Sequence, residues 1–506
     1  MPPIRPPGVF LVSDREVSPE RLVEVSLRGR RVDLSRDARW RARVKASRAA
    51  LERALAEGIP VYGVSTGVGG SSWRRIARER QDRFALAVMR QHGCGAGEPL
   101  GEAETRAMIF ARLVCLAKGC SAVRLDLLEA LCRLLNHRIT PLVPRFGSVG
   151  ASGDLTPLSY VAAALAGERE ARFDGKVVRA STALRSAGLR PFRFSAKETL
   201  ALMNGTSAMT GLAILNVERM RRIAAVSERA TALAAEVLRG RTQAFHPTLH
   251  ALKPHPGQVK SASEIRRLFR GSRLLDPPQP PGRPIQDPYS IRCAPHVIGS
   301  VRDGLDWAWQ VLRIELNGVN DNPIVDPGTG EVIFGGNFYG GHIALGMDLL
   351  KIAAASLADL ADRQFALLVD AHRSMGLPET LVGYDGNGVK GLQITCSALA
   401  ALAIQRSAPD TTLSRPTECG NQDKVSMGFN AALNAAAVID STGKALAAEL
   451  IALSNAAHLR GERGFSSGGA TLLGLVRRHS PLLRADRRLD VDLARLAASL
   501  DDTQGS

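Results

Sequence analysis

The chain has 506 residues, a length for roughly three domains of ordinary size or fewer large ones, and 45% of them are hydrophobic, enough to bury a core. Its 66 Lys and Arg against 49 Asp and Glu leave a net charge of +17. The arginines are scattered and aromatics reach only 5%, with no zinc finger, RNA-binding signature or basic zipper, which argues against a nucleic-acid partner.

At the N-terminus, MPPIRPP carries no apolar run of the signal-peptide kind, and no later stretch reaches the ~18 apolar residues of a membrane span. Seven cysteines (Cys94, Cys115, Cys120, Cys132, Cys293, Cys396 and Cys419) form no CxxC pair. The ten histidines form no ligand-spaced cluster. Neither a disulfide framework nor a metal site is expected, and a soluble cytoplasmic protein with no membrane partner is.

Two Gly-rich loops come first, GVSTGVGG from Gly63 and GSVGASG from Gly147. After the second, Thr156 and Pro157 predict the cap and first residue of a helix running from Leu158 to Ala166. Three Pro-free, Ala- and Leu-rich segments follow, 207–239, 341–373 and 427–459, each roughly 50 Å long if helical. Such helices bury their faces against one another, so the fold is expected to be mainly α, with a long-helix bundle as its core. Between them, LLDPPQPPGRPIQDP (274–288) is a rigid loop, and 321–341 reads as turns with a short strand at most. The expected division is an N-terminal domain over 1–205, the bundle over 206–480 and a tail over 481–506.

Ala151-Ser152-Gly153 sits in a loop that glycines leave free to bend, just before a helix N-terminus that favours electron-rich groups. Taken alone this is an ordinary capped turn. In the wider stretch, GSVGASGDLTPLS resembles the cofactor loop of the aromatic amino-acid ammonia-lyases and aminomutases, the histidine, phenylalanine and tyrosine enzymes. The resemblance continues in order through Tyr62-Gly63-Val64-Ser65-Thr66-Gly67, Leu202-Met203-Asn204-Gly205-Thr206 and Gln286-Asp287-Pro288-Tyr289-Ser290-Ile291-Arg292-Cys293. It ends with Glu315-Leu316-Asn317, Asn320-Asp321-Asn322-Pro323, Gly335-Gly336-Asn337-Phe338 and Asn421-Gln422-Asp423.

That resemblance implies a fold of the aspartase/histidine ammonia-lyase type, assembled as a homotetramer whose active sites are shared between subunits. It implies that Ala151, Ser152 and Gly153 cyclise autocatalytically to the electrophile 4-methylidene-imidazole-5-one (MIO). It also implies that Tyr62 is the base removing the β-proton, near positive charge that perturbs its pKa. Asn204 and Tyr289 are implied beside the prosthetic group, and Arg292 as a bidentate clamp on the substrate carboxylate. Gln286, Phe338, Asn421 and Gln422 complete the implied substrate-binding set.

His92, in Gln91-His92-Gly93-Cys94-Gly95, stands where histidine lyases carry His, whereas the NQDKVSM element resembles the tyrosine and phenylalanine branch. The substrate is therefore left open among aromatic L-amino acids. The expected reaction is non-oxidative loss of ammonia to an α,β-unsaturated acid, with a 2,3-aminomutase as the alternative. The GSSxMPxKxN loop of the aspartase/fumarase group is absent. A non-catalytic basic binding protein is disfavoured by the intact Ala-Ser-Gly, Tyr62 and Arg292.

Overall fold

The computed structural model describes residues 8–278, 284–461 and 463–501. Helix accounts for 59% of the described residues, and the sheets they form are all small, so the mainly α expectation holds. Four helices dominate: Ser207–Val237, Ala294–Asn317, Gly341–Leu368 and Gly428–Leu459.

Three of these lie where the Pro-free segments place them, and the backbone explains where they end. The first stops before Arg239 (φ 53), and the third begins only after Met427 (φ 59); neither residue has a helical backbone. The second ends at Leu368, five residues earlier than expected. There the Asp370 carboxylate accepts the N–H groups of His372 and Arg373 (2.9 and 3.2 Å) and turns the chain. The fourth long helix, Ala294–Asn317, lies outside the segments expected to be long helices, because it carries Pro295 in its first turn and is poorer in Ala and Leu. A Cβ on Gly299 would stand 2.4 Å from Gln258 Cα, so glycine here lets this helix approach helix Pro256–Leu268.

The described residues cluster into two compact units, each assembled from separate stretches. The first comprises 8–215, 308–347 and 409–433; the second comprises 216–307, 348–408 and 434–501. In the first, helix Glu102–Ala117 is buried from Thr105 onward and helix Leu155–Leu165 nearly throughout. Short strands trim it, among them the antiparallel pair Ile324–Val325 with Val332–Ile333 inside the turn-rich stretch. The second is knit by small residues: Ala445, Ala448, Ala452 and Ala456 are fully buried, and Thr442 Oγ1 donates to the Ala354 carbonyl at 2.9 Å. Among the described residues no helix is long and apolar enough to cross a membrane.

Candidate active site

The Ala151–Gly153 loop is held by its backbone. Ser152 (φ 51) and Gly153 (φ 76) are both left-handed, which bends the tripeptide back on itself. Gly153 pairs with Gly205 in an isolated bridge, and a Cβ on Gly153 would stand 2.3 Å from the Gly205 oxygen. The Gly205 N–H donates to the Ser152 carbonyl at 3.1 Å, and its own carbonyl accepts from Asp154 N at 2.8 Å.

The helix after the loop starts at Leu155, with Asp154 at its cap position, two residues before the expected Thr156. The Asp154 carboxylate turns away and accepts Met209 N–H at 2.8 Å, at the start of helix Ser207–Val237. It is fully buried, which pushes its pKa up to about 7 against the lowering effect of the Met209 and Ala208 N–H groups.

Ser152 faces a cavity of about 280 Å³ lined by Tyr62, Asn322, Phe338, Tyr339 and residues 421–425. Gln422 Nε2 donates to Ser152 Oγ at 3.0 Å, while Thr417 Oγ1 donates to Gln422 Oε1 at 2.7 Å and so fixes the orientation of the amide. Tyr62 Oη accepts the Gly69 N–H at 2.8 Å. Burial pushes the Tyr62 phenol up, the Gly69 N–H opposes this, and the nearby Glu418 carboxylate raises it further. The charged neighbour that shifts Tyr62 in its own unit is thus negative, not the expected positive charge. The bend holds the tripeptide folded, glycine is required at 153, and the buried Asn204 Oδ1 has no hydrogen-bond partner. These features fit a prosthetic group formed from Ala151, Ser152 and Gly153.

The remaining predicted residues fall in two places. His92 ends helix Gln81–His92 with Nδ1 2.9 Å from the Val88 carbonyl, and it is not among the residues lining the Ser152 cavity. Gln286, Tyr289 and Arg292 belong to the second unit, where with Leu238, Leu367 and His372 they line a separate cavity of about 810 Å³. There the Arg292 guanidinium lies 4.5 Å from the Tyr289 ring centre, its Nε is buried without a partner, and Tyr289 is 69% exposed. Sequence reasoning missed Glu418, Tyr339 and Lys424. Glu418 meets the Tyr62 loop only because the loop at 418–420 folds against Gly69 and Gly70, a long-range contact with no local signal.

Residues 17–478 match the family model described as aromatic amino acid lyase. A histidine ammonia-lyase of Gloeobacter violaceus is 40% identical over 461 residues, covering 91% of this chain and 90% of that protein. An MIO-dependent tyrosine 2,3-aminomutase of Streptomyces globisporus is likewise 40% identical, over 481 residues, covering 91% and 89%. A solved tyrosine aminomutase structure from the same organism superposes with a TM-score of 0.92 at 37% identity, covering 97% and 96%. The phenylalanine aminomutase of Pantoea agglomerans gives 0.93 at 30%, covering 98% and 99%. The chain belongs to the aromatic amino acid lyase family. It is an enzyme of the carbon–nitrogen ammonia-lyase class.

Proposed function

We propose that this enzyme eliminates ammonia from an aromatic L-amino acid without oxidation, releasing an α,β-unsaturated arylacrylic acid. The observation that carries the reading is the Ser152 loop: a tripeptide bent on itself, with Gln422 on its hydroxyl, facing the cavity that Tyr62 lines. Ala151, Ser152 and Gly153 would hold the prosthetic group, formed autocatalytically, and it supplies an electrophilic carbon. The chain's own residues supply the rest. Tyr62 takes the β-proton, Gln422 and Asn204 orient the groups around Ser152, and Phe338 packs against them. Arg292 clamps the substrate carboxylate through two parallel hydrogen bonds, with Gln286 and Tyr289 beside it. In the homotetramer that the family likeness implies, a second copy of the chain would bring these three residues to the Ser152 cavity. Seven unpaired cysteines suit a reducing compartment, the cytoplasm.

The likeness to aminomutases favours a second reading, in which ammonia returns to the β-carbon and a β-amino acid leaves. Incubation with L-His, L-Tyr, L-Phe and L-Trp decides between them, with unsaturated acid followed by absorbance and β-amino acid by chromatography. Unsaturated acid from one substrate is expected, and it names that substrate. Accumulating β-amino acid replaces the lyase reading, and turnover of none of the four overturns both.

A further inference from the structure

Under the Gly205 peptide lies a buried polar cluster. Arg112, on helix Glu102–Ala117, is fully buried. Its Nη1 donates to Asn320 Oδ1 at 2.8 Å and reaches Cys115 Sγ at 3.5 Å, while Nη2 donates to the Ala201 carbonyl. Every one of these partners is neutral. The nearby Asp321 carboxylate is already engaged by Lys197, at 2.5 Å in a fully buried pair. A buried cation held by neutral acceptors is costly, and an apolar side chain of similar volume would fill the space more cheaply. What the guanidinium adds is a rigid two-point fork.

The fork grips both flanks of Gly205. Ala201 lies in helix Glu198–Met203, which leads into Asn204 and Gly205, and Asn320 belongs to the later loop packed against Gly205. A Cβ on Gly205 would stand 2.4 Å from Arg112 Nη1 and 2.3 Å from Asn320 Oδ1. The Gly205 residue is therefore pressed between the Arg112–Asn320 pair and the tripeptide: its N–H donates to the Ser152 carbonyl and its C=O accepts from Asp154, the residue that follows the tripeptide.

We propose that Arg112 is a positioning residue for maturation of the tripeptide, an inference that rests on reading Ala151–Gly153 as the seat of the prosthetic group. In maturation the Gly153 nitrogen bonds to the Ala151 carbonyl carbon, whose oxygen leaves as water with the amide hydrogens of Gly153 and Ser152. A second water carries off the Ser152 hydroxyl and α-hydrogen, and no oxidant is needed. By fixing Gly205, Arg112 holds the Ser152 carbonyl still while this ring closes.

The test is the intact mass of the purified full-length chain, beside its thermal unfolding. Wild type is expected to be lighter than its sequence by two waters; a wild type at full mass overturns the reading of the tripeptide itself. In Arg112→Lys, which keeps the charge but loses the fork, the matured fraction is expected to fall about tenfold, the scale of one charged hydrogen bond. Arg106→Lys is the control. Arg106 is buried on the same helix but donates only to the carbonyls of Val25, Ser26 and Leu135. It is expected to lose stability while maturing fully. Asn320→Asp, which keeps an acceptor for Arg112, should mature, and Asn320→Leu should not. A fully matured Arg112→Lys, or equal losses in Arg112→Lys and Arg106→Lys, overturns the proposal. If Arg112→Lys does not fold, equal maturation of the two Asn320 variants overturns it.

Discussion

Around Ser152 the chain is fixed by peptide groups bonded to peptide groups, whereas around Arg292 a single helical turn carries two side chains stacked on one another. The first region has two left-handed residues, glycines with no room for a Cβ, and a buried carboxylate tied to a long helix. The second leaves Tyr289 exposed and the Arg292 Nε without a partner, in a cavity of the other unit. The contrast suits the role proposed for each region. Peptide chemistry within the chain needs a backbone that cannot relax, because a small misplacement of reacting atoms is expensive. A group that meets a substrate carboxylate needs an unspent donor set instead.

The largest effect is expected from Ser152→Ala, which keeps the Cβ but removes the hydroxyl whose loss would make that carbon electrophilic. Turnover should fall by at least about a thousandfold, and the intact mass cannot show loss of the water that carries off the Ser152 hydroxyl. Retained wild-type turnover would place the chemistry elsewhere. Gly205→Ala strikes the same region through its frame, since Gly205 has φ 137 and its added methyl would meet Asn320 Oδ1 at 2.3 Å. Destabilisation by about 1–3 kcal/mol in chemical unfolding is expected, with a reduced matured fraction. An unchanged unfolding midpoint would show the frame to be softer than its geometry.

Arg292→Ala tests the other region. KM should rise about tenfold or more while the matured mass stays at the wild-type value, because the proposed ligand contact and the stacking on Tyr289 are lost and the Ser152 loop is untouched. An unchanged KM excludes the clamp. The smallest effect is a shift in pH dependence. The proposed base, Tyr62, can take a proton only when deprotonated, so kcat/KM should climb with pH toward its raised pKa. Glu418→Gln removes one of the influences raising that pKa, and the rising limb should move to lower pH. A limb that stays in place, or moves to higher pH, contradicts the coupling of Glu418 to Tyr62.

Much of this was legible in the sequence. Three of the four long helices follow from Ala- and Leu-rich stretches free of proline, and their ends were misjudged only where Asp370, Arg239 or Met427 redirects the backbone. The motif residues Tyr62, Ser152, Phe338, Asn421 and Gln422 do line one cavity. His92 does not, because its ring is engaged with the Val88 carbonyl of its own helix. The direction of the Tyr62 shift was also hidden, since it comes first from burial and then from Glu418, both brought by segments far away along the chain.

What the sequence alone determined, then, is whatever depends on residue type and short spacing: helix content, the loop able to bend at Ser152 and Gly153, and the family. Tertiary structure decided which distant groups meet. It set Gly205 against the tripeptide, Arg112 and Asn320 behind Gly205, and Glu418 beside Tyr62. It also put Gln286, Tyr289 and Arg292 in a different unit from Ser152. The physical reason is that local conformation is governed by sterics within a few residues, whereas burial and electrostatic environment are set by chain segments packed together from far apart.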